Sequence, residues 1–267
     1  MHGGNHLPNV LLVPGCVRPV EGQAYLVLKD SEARLRQYRE CLEFYLLHTG
    51  FKNVIFCENS EYHLDFSDLQ DIALEHGKEL EVLSFCGNPE ETRMRGKGFG
   101  EGEIVAYALA HSRHAESIRH FVKVTGRLIV RNMEELRKRL DVSRFYINRL
   151  LVRNDAEVLD TRLYATPVEL YKQYFLNLHT GVSVEFNLEK AFTKCLYEWK
   201  IPFRCFPRYP EFHGICGGDG MVYGKESPML LRTYRWASVC GVLNSSWFAM
   251  SVSRWRRRGN GSIFGGH

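Results

Sequence analysis

Apolar residues in the first half of the chain fall into short, nearly unbroken runs separated by amphipathic stretches. The runs Asn9–Val13, Asn53–Cys57, Leu80–Phe85 and His120–Val124 are β-branched or aromatic and almost free of charge, as strands covered on both faces are. Between the first two, Leu35, Tyr38, Leu42, Tyr45 and Leu46 recur at helical spacing, with Asp30 or Ser31 placed to cap the start and Gly50 the end. Further helices are expected after the glycines of GKGFGEGE, after Asn132 with Glu135 at the capping-box position, over TPVELYKQYFLN with Thr166 as N-cap, and over Leu188–Trp199. Strands are expected at Arg144–Leu151, Val158–Tyr164 and Val182–Phe186. Strand and helix patterns that alternate in this way predict an α/β fold with a mostly parallel central sheet flanked by helices. Past residue 200 the chain turns to Pro, Gly and aromatics and gives no periodicity, so a single domain with a loop-rich C-terminal part is expected.

Composition narrows this picture only slightly. The 267 residues are 45% apolar, ample for a core, and 35 basic against 31 acidic residues leave a charge of +4, too small to point to nucleic acid. Eight cysteines stand singly, without C-x-x-C pairs or zinc-ligand spacing, which predicts reduced core thiols. The N-terminus lacks a signal-peptide pattern and no window is apolar enough to span a bilayer, so a cytoplasmic protein is expected, or one peripheral at a membrane surface. The segment from Leu230 to Ser262 adds to the second possibility: six arginines, no acid, and Trp236, Trp247, Phe248 and Trp255 interleaved suit an anionic membrane surface.

Two segments bear on chemistry. The glycines at 96, 98, 100 and 102 match neither a G-x-G-x-x-G fingerprint nor a P-loop; they predict a flexible loop before a helix N-terminus, with Lys97 alongside, an arrangement suited to holding an anion. In HFVKVTGRL, strand alternation would send Lys123, Thr125 and Arg127 to one side at a strand end, where open α/β sheets bind ligands and two cations would neutralise a diphosphate.

The order VLLVPG, NVIFCENS, GKGFGEGE, FVKVTGRLIV, DTRLY, VSVEF and P-x-x-x-G-x-x-G, spanning about Asn9 to Tyr223, resembles small microbial glycosyltransferases of polysaccharide and glycan synthesis with a GT-A-like, Rossmann-type fold. The most specific pieces are Lys123–Arg127, Val184-Glu185-Phe186 and the pair Gly214 and Gly217. The resemblance implies transfer of a sugar from a nucleotide-sugar donor, UDP- or GDP-linked, to a glycan or lipid-linked acceptor. Residues 9–150 would be the nucleotide-sugar-binding half, 151–249 the acceptor and catalytic half, and 250–267 a basic tail. Pro14, Glu58 and Asn59 would receive the nucleoside, and Lys97, Gly98 and Lys123–Arg127, including Thr125 and Gly126, the diphosphate. No D-x-D follows a strand, so metal dependence is left open and fixed cations could do the same electrostatic work. The aspartates of HLDFSDLQD are expected to cap a helix instead.

An inverting transfer needs a base for the acceptor hydroxyl, and Glu185, interrupting an apolar run, is the expected one, its pKa raised in a dry site. Asp160 and Arg162 could be a polar pair in the cleft, and His213 with Gly214 part of an acceptor loop. Two other readings compete: a non-catalytic nucleic-acid or membrane binder using the basic aromatic C-terminus, and a Rossmann-type methyltransferase, which would show a glycine-rich turn after the first strand where PGCVRP has one glycine.

Overall fold

The computed structural model describes residues 7–22, 26–151, 157–215, 220, 222–224 and 234. The Trp- and Arg-rich segment after Tyr234, Gly217, and the cysteines at 216 and 240 lie outside the described residues.

Six strands form the main sheet in the order β3-β2-β1-β4-β7-β6. Strands β1 (Val10–Gly15), β2 (Asn53–Glu58), β3 (Glu79–Ser84) and β4 (His120–Val124) run parallel. β7 (Glu157–Pro167) pairs antiparallel with both β4 and β6 (Tyr146–Leu151). Alternation along each strand sends side chains to two cores: Leu11, Val13, Val54, Phe56, Val122 and Val124 to one face, Val10, Leu12, Ile55, Cys57 and Phe121 to the other. Helices α1 (Ser31–His48) and α2 (Ser67–Glu75) cover the first face, and α4 (Lys97–His111) and α7 (Leu188–Glu198) the second, so the α/β arrangement is as expected. The remaining helices are short: α3 (Pro89–Arg95), α5 (Met133–Arg137), α6 (Val168–Tyr174) and a 3-10 turn at Leu178–Gly181.

A second sheet joins β5 (Leu128–Val130), β8 (Phe212–Ile215) and β9 (Val222–Tyr223) in antiparallel order. It is tied to α1 by Tyr45, whose hydroxyl donates to the Leu128 carbonyl (2.9 Å) and accepts from the Val130 N–H (2.9 Å). The region past residue 200 therefore contains strand structure that composition does not disclose.

Several local expectations are corrected. Asp30 does cap α1, accepting from Ala33 N at 2.6 Å, but the helix ends at His48 with Thr49, not Gly50, as its C-cap. Val182–Phe186 is a bend, not a strand: Ser183 N donates to the Phe186 carbonyl (2.9 Å) and Ser183 Oγ accepts from Phe186 N (3.0 Å), closing a turn. Thr166 caps nothing; it stays in β7 opposite Phe121, and α6 starts only at Val168, whose N–H donates to the Arg119 carbonyl (3.0 Å). Asn132 likewise spends its side chain on Tyr209 O and Glu211 N instead of on α5. Asp65 holds the turn into α2 through Ser67 N and Oγ, and α2 has no side-chain N-cap.

Candidate functional site

In the order 3-2-1-4 the chain leaves β1 toward β2 on one side while β4 lies on the other, so the switch point of the sheet falls between the carboxyl ends of β1 and β4. Pro14 and Gly15 end β1, Glu58 ends β2 with Asn59 next to it, and Val124 ends β4 and leads into Thr125–Arg127. The turn after β4, closed by Leu128 N donating to the Thr125 carbonyl (2.9 Å), rests directly on the end of β1. A Cβ added to Gly126 would lie 2.1 Å from the Pro14 carbonyl oxygen and 2.8 Å from the Tyr38 ring, so only glycine fits there.

The first loop of the site is held by α1. Arg34, buried on that helix, donates to the carbonyls of Cys16 (2.7 Å) and Leu28 (3.1 Å), and the Tyr38 hydroxyl accepts from Cys16 N (2.9 Å). Glu58 is fully buried and shapes the second loop: its carboxylate accepts from Ser60 N (2.8 Å), Ser60 Oγ (2.5 Å), Tyr62 N (2.9 Å) and the Ser84 hydroxyl. Asn59 sits beside it over α4, its amide reaching Glu103 at 3.5 Å while its Oδ1 is buried with no hydrogen-bond partner among the described residues.

Lys123 and Arg127 part company. Lys123 is 0% exposed and points to the α4 face of the sheet. Its Nζ pairs with the carboxylate of Glu101 and donates to the Thr161 carbonyl (2.7 Å) and to Thr125 Oγ1 (3.3 Å), with the Tyr164 ring 5.5 Å away. All three ammonium protons are thereby used within the protein. Arg127 goes the other way, donating to Gln37 Oε1 of α1 at 2.8 Å. Of the expected alignment, Lys123 and Thr125 do share a side, whereas Arg127 is turned away from them, because the turn interrupts strand alternation.

Asp160 and Arg162 do form a pair, bidentate at 2.7 and 2.6 Å, with the guanidinium between the rings of Phe212 (4.4 Å) and Tyr223 (4.9 Å). Arg162 thus fastens the small sheet to the main one, and its carbonyl accepts from Thr125 N (2.8 Å) beside the β4 turn. Gly214, at φ +128°, lets β8 approach the Arg127 carbonyl, 2.8 Å from where a Cβ would stand. His213 contacts Arg131 through Nδ1 at 3.1 Å.

The glycine run is not the flexible loop expected before the helix. Lys97 is already the first residue of α4, and Gly98, Gly100 and Gly102 lie within it. Each opens a space: a Cβ at Gly98 would meet Leu188 Cβ at 3.0 Å, at Gly100 the Asn59 amide at 3.1 Å, and at Gly102 the His179 Cβ at 2.3 Å. Their helix-weakening cost, about 1 kcal/mol each, is offset by close packing of α7, the β2 loop and the 3-10 turn. Lys97 itself is exposed at the helix start.

Glu185 lies exposed in the bend, accepting from Ser183 Oγ (3.1 Å), so the dry setting expected for it is absent. Glu189, which the sequence reading did not single out, is half-buried in the first turn of α7; burial raises its pKa against a hydrogen bond from its own N–H, with Glu101 and Asp160 adding to the rise and Lys97 opposing it. Among the described residues no three His, Cys, Asp or Glu side chains are grouped to hold a metal, and the cleft acids Glu101 and Asp160 are already engaged by cations. No helix among the described residues is long and apolar enough to cross a membrane.

No protein-family model matches the chain, and no curated protein matches it. Among solved structures it is similar to the glycosyltransferase GlyE of Streptococcus pneumoniae TIGR4, with 11% identity and a TM-score of 0.48 over 75% of this chain and 45% of that one. It is also similar to a provisionally assigned nucleotide-diphospho-sugar transferase of Desulfovibrio desulfuricans G20, with 9% identity and a TM-score of 0.45 over 74% of this chain and 78% of that one. The chain spans less than half the length of the first.

Proposed function

We propose that this chain is a glycosyltransferase that moves a sugar from a nucleotide-sugar donor to a glycan or lipid-linked acceptor. The observation that carries the reading is the meeting of the β1, β2 and β4 ends at the switch point, where Gly126 lets the β4 turn sit against Pro14. Of the sequence motifs that resemble microbial glycosyltransferases, those that end β1, β2 and β4 support this reading, since they fall on this edge of the sheet.

In this reading the nucleoside lies over the ends of β1 and β2, beside Pro14 and Asn59, with Glu58 and Arg34 keeping the two loops in shape. The diphosphate meets Arg127 and Lys97, whereas Lys123, its protons all spent, braces the Thr125–Arg127 turn from beneath. Fixed cations supply charge stabilisation for the leaving diphosphate without reorganisation. Among the described residues no three acids, histidines or cysteines are grouped to hold a metal, and metal dependence is read out by the Mn²⁺ and Mg²⁺ arms of the test below. Gly214 and His213 border the turn from the small sheet and face the acceptor side.

A thermal-shift panel of UDP, GDP and their sugar conjugates, with and without Mn²⁺ or Mg²⁺, tests this. A ligand at about 100 times its Kd stabilises by about 2.7 kcal/mol, a clear rise in melting temperature. Stabilisation by S-adenosylmethionine alone, or by no nucleotide, overturns the reading.

A further inference from the structure

We propose that Glu189 is the proton acceptor of the transfer reaction, an assignment that rests on the glycosyltransferase reading. A carboxylate that takes a proton from an incoming hydroxyl needs an open lone pair, partial shelter from water and a place beside the donor's reacting end.

The acids around the cleft differ sharply in the first of these. Glu58 is consumed by two backbone N–H groups and two serine hydroxyls. Glu101 is paired with Lys123, Asp160 is bidentate with Arg162, and Glu103 accepts from Asn88 N at 3.0 Å. Glu189 forms no ion pair among the described residues; its carboxylate accepts from its own backbone N–H.

Its placement follows from packing. The first turns of α4 and α7 are pressed together where Gly98 leaves room for Leu188, whose backbone N would be 3.2 Å from a Cβ at that position. α7 also packs on β7 through Thr193, whose hydroxyl accepts from Leu159 N at 3.0 Å, one residue from Asp160. Glu189 is therefore held between Lys97 of α4 and the β7 segment carrying Asp160, half-buried. Shelter from water and the two neighbouring acids favour its neutral form, which strengthens it as a proton acceptor.

The step balances. The acceptor oxygen forms a bond to the anomeric carbon as its proton passes to the Glu189 carboxylate; the bond from that carbon to the diphosphate oxygen breaks, its electron pair leaving with the nucleoside diphosphate. Glu189 then releases the proton to water.

Hydrolysis of the donor, with water as acceptor, tests this without knowledge of the natural acceptor. Wild type, Glu189→Gln, Glu189→Asp and the exposed control Glu198→Gln are compared for hydrolysis of UDP- and GDP-sugars across pH, and for binding of the free diphosphate. Glu189→Gln is expected to lose roughly 100-fold or more in kcat, with the acid limb of the pH profile gone and diphosphate affinity kept. Glu189→Asp should keep the limb at a reduced rate. A Glu189→Gln rate within about threefold of wild type, or an unmoved acid limb, overturns the assignment while leaving the glycosyltransferase reading intact. Should Glu189→Gln not fold, an unchanged rate and profile in Glu189→Asp has the same force. A strong loss in Glu185→Gln with none at Glu189 returns the role to Glu185. A wild type that binds no diphosphate and cleaves no donor overturns both claims.

Discussion

Lys123 of β4 and Glu101 of α4 form an ion pair beneath the turn that ends β4, and the lysine has no exposed surface. The cation that sequence reading offers to a ligand is buried in the protein's own contacts, and in the proposed function the diphosphate is met by Arg127 and Lys97 instead. Removing one member of a buried pair strands the other, typically at 3–5 kcal/mol, and the partial exposure of Glu101 softens this. Lys123→Met is expected to lower unfolding free energy by about 2–4 kcal/mol in urea titration. A loss below about 0.5 kcal/mol with a large drop in nucleotide affinity would place Lys123 on the ligand after all.

Gly126→Ala forces a methyl against the Pro14 carbonyl, a backbone atom that cannot swing aside. Overpacking of this kind costs about 1–3 kcal/mol. Because the clash is between the two strand ends of the proposed site, nucleotide affinity should fall along with stability. Calorimetric melting and nucleotide titration on the same variant check both.

Within α4 two opposed effects can be weighed. Replacing an internal helical glycine by alanine gains about 1 kcal/mol of propensity. At Gly102 the new Cβ would stand 2.3 Å from His179 Cβ, so Gly102→Ala is expected to destabilise by about 1–3 kcal/mol despite that gain. At Gly98 the contact with Leu188 Cβ is 3.0 Å, and the loss should be smaller. Denaturation midpoints of the two variants, compared side by side, give the order.

His120 opens β4 at the far edge of the sheet, buried, with its pKa lowered to about 4 chiefly by burial. The unfolded chain takes up its proton near pH 6.5 and the folded chain only near pH 4. Between those values the unfolded state binds more protons, so stability falls as the pH is lowered, by up to about 3 kcal/mol from this group. His120→Gln should flatten the slope of stability against pH between 6.5 and 4; an unchanged slope would assign it to other groups.

Much of this architecture is legible in the sequence because parallel strands buried on both faces leave uninterrupted apolar runs, as in NVLLV and NVIFC, and Asp30 announces α1 locally. The position of the candidate site is legible in the same runs, since topology alone puts Pro14, Asn59 and Gly126 at one edge. What escapes is the pairing of groups on different elements. Lys123 finds Glu101 only after α4 is docked on the sheet, although Glu101, Ile104, Val105 and Ala108 already share the helical spacing that would have aimed that acid at the strands. The alternating glycines read as a loop because their purpose, room for Leu188, Asn59 and His179, lies in segments far along the chain. Val182–Phe186 has the composition of a strand but pairs with none among the described residues, and a serine-closed turn prevails.

Arg127 carries the central claim. It leaves the β4 turn at the switch point and reaches Gln37 on α1. A charge-assisted hydrogen bond contributes about 1.5–3 kcal/mol, or roughly 10- to 100-fold in affinity. The most direct measurement is isothermal titration of UDP and GDP into wild type and Arg127→Ala, with melting temperatures recorded for both. The account predicts that one of the two nucleotides binds wild type and that Arg127→Ala weakens it at least about tenfold with little change in melting temperature. Binding of neither nucleotide, or equal affinity in the variant, would contradict it.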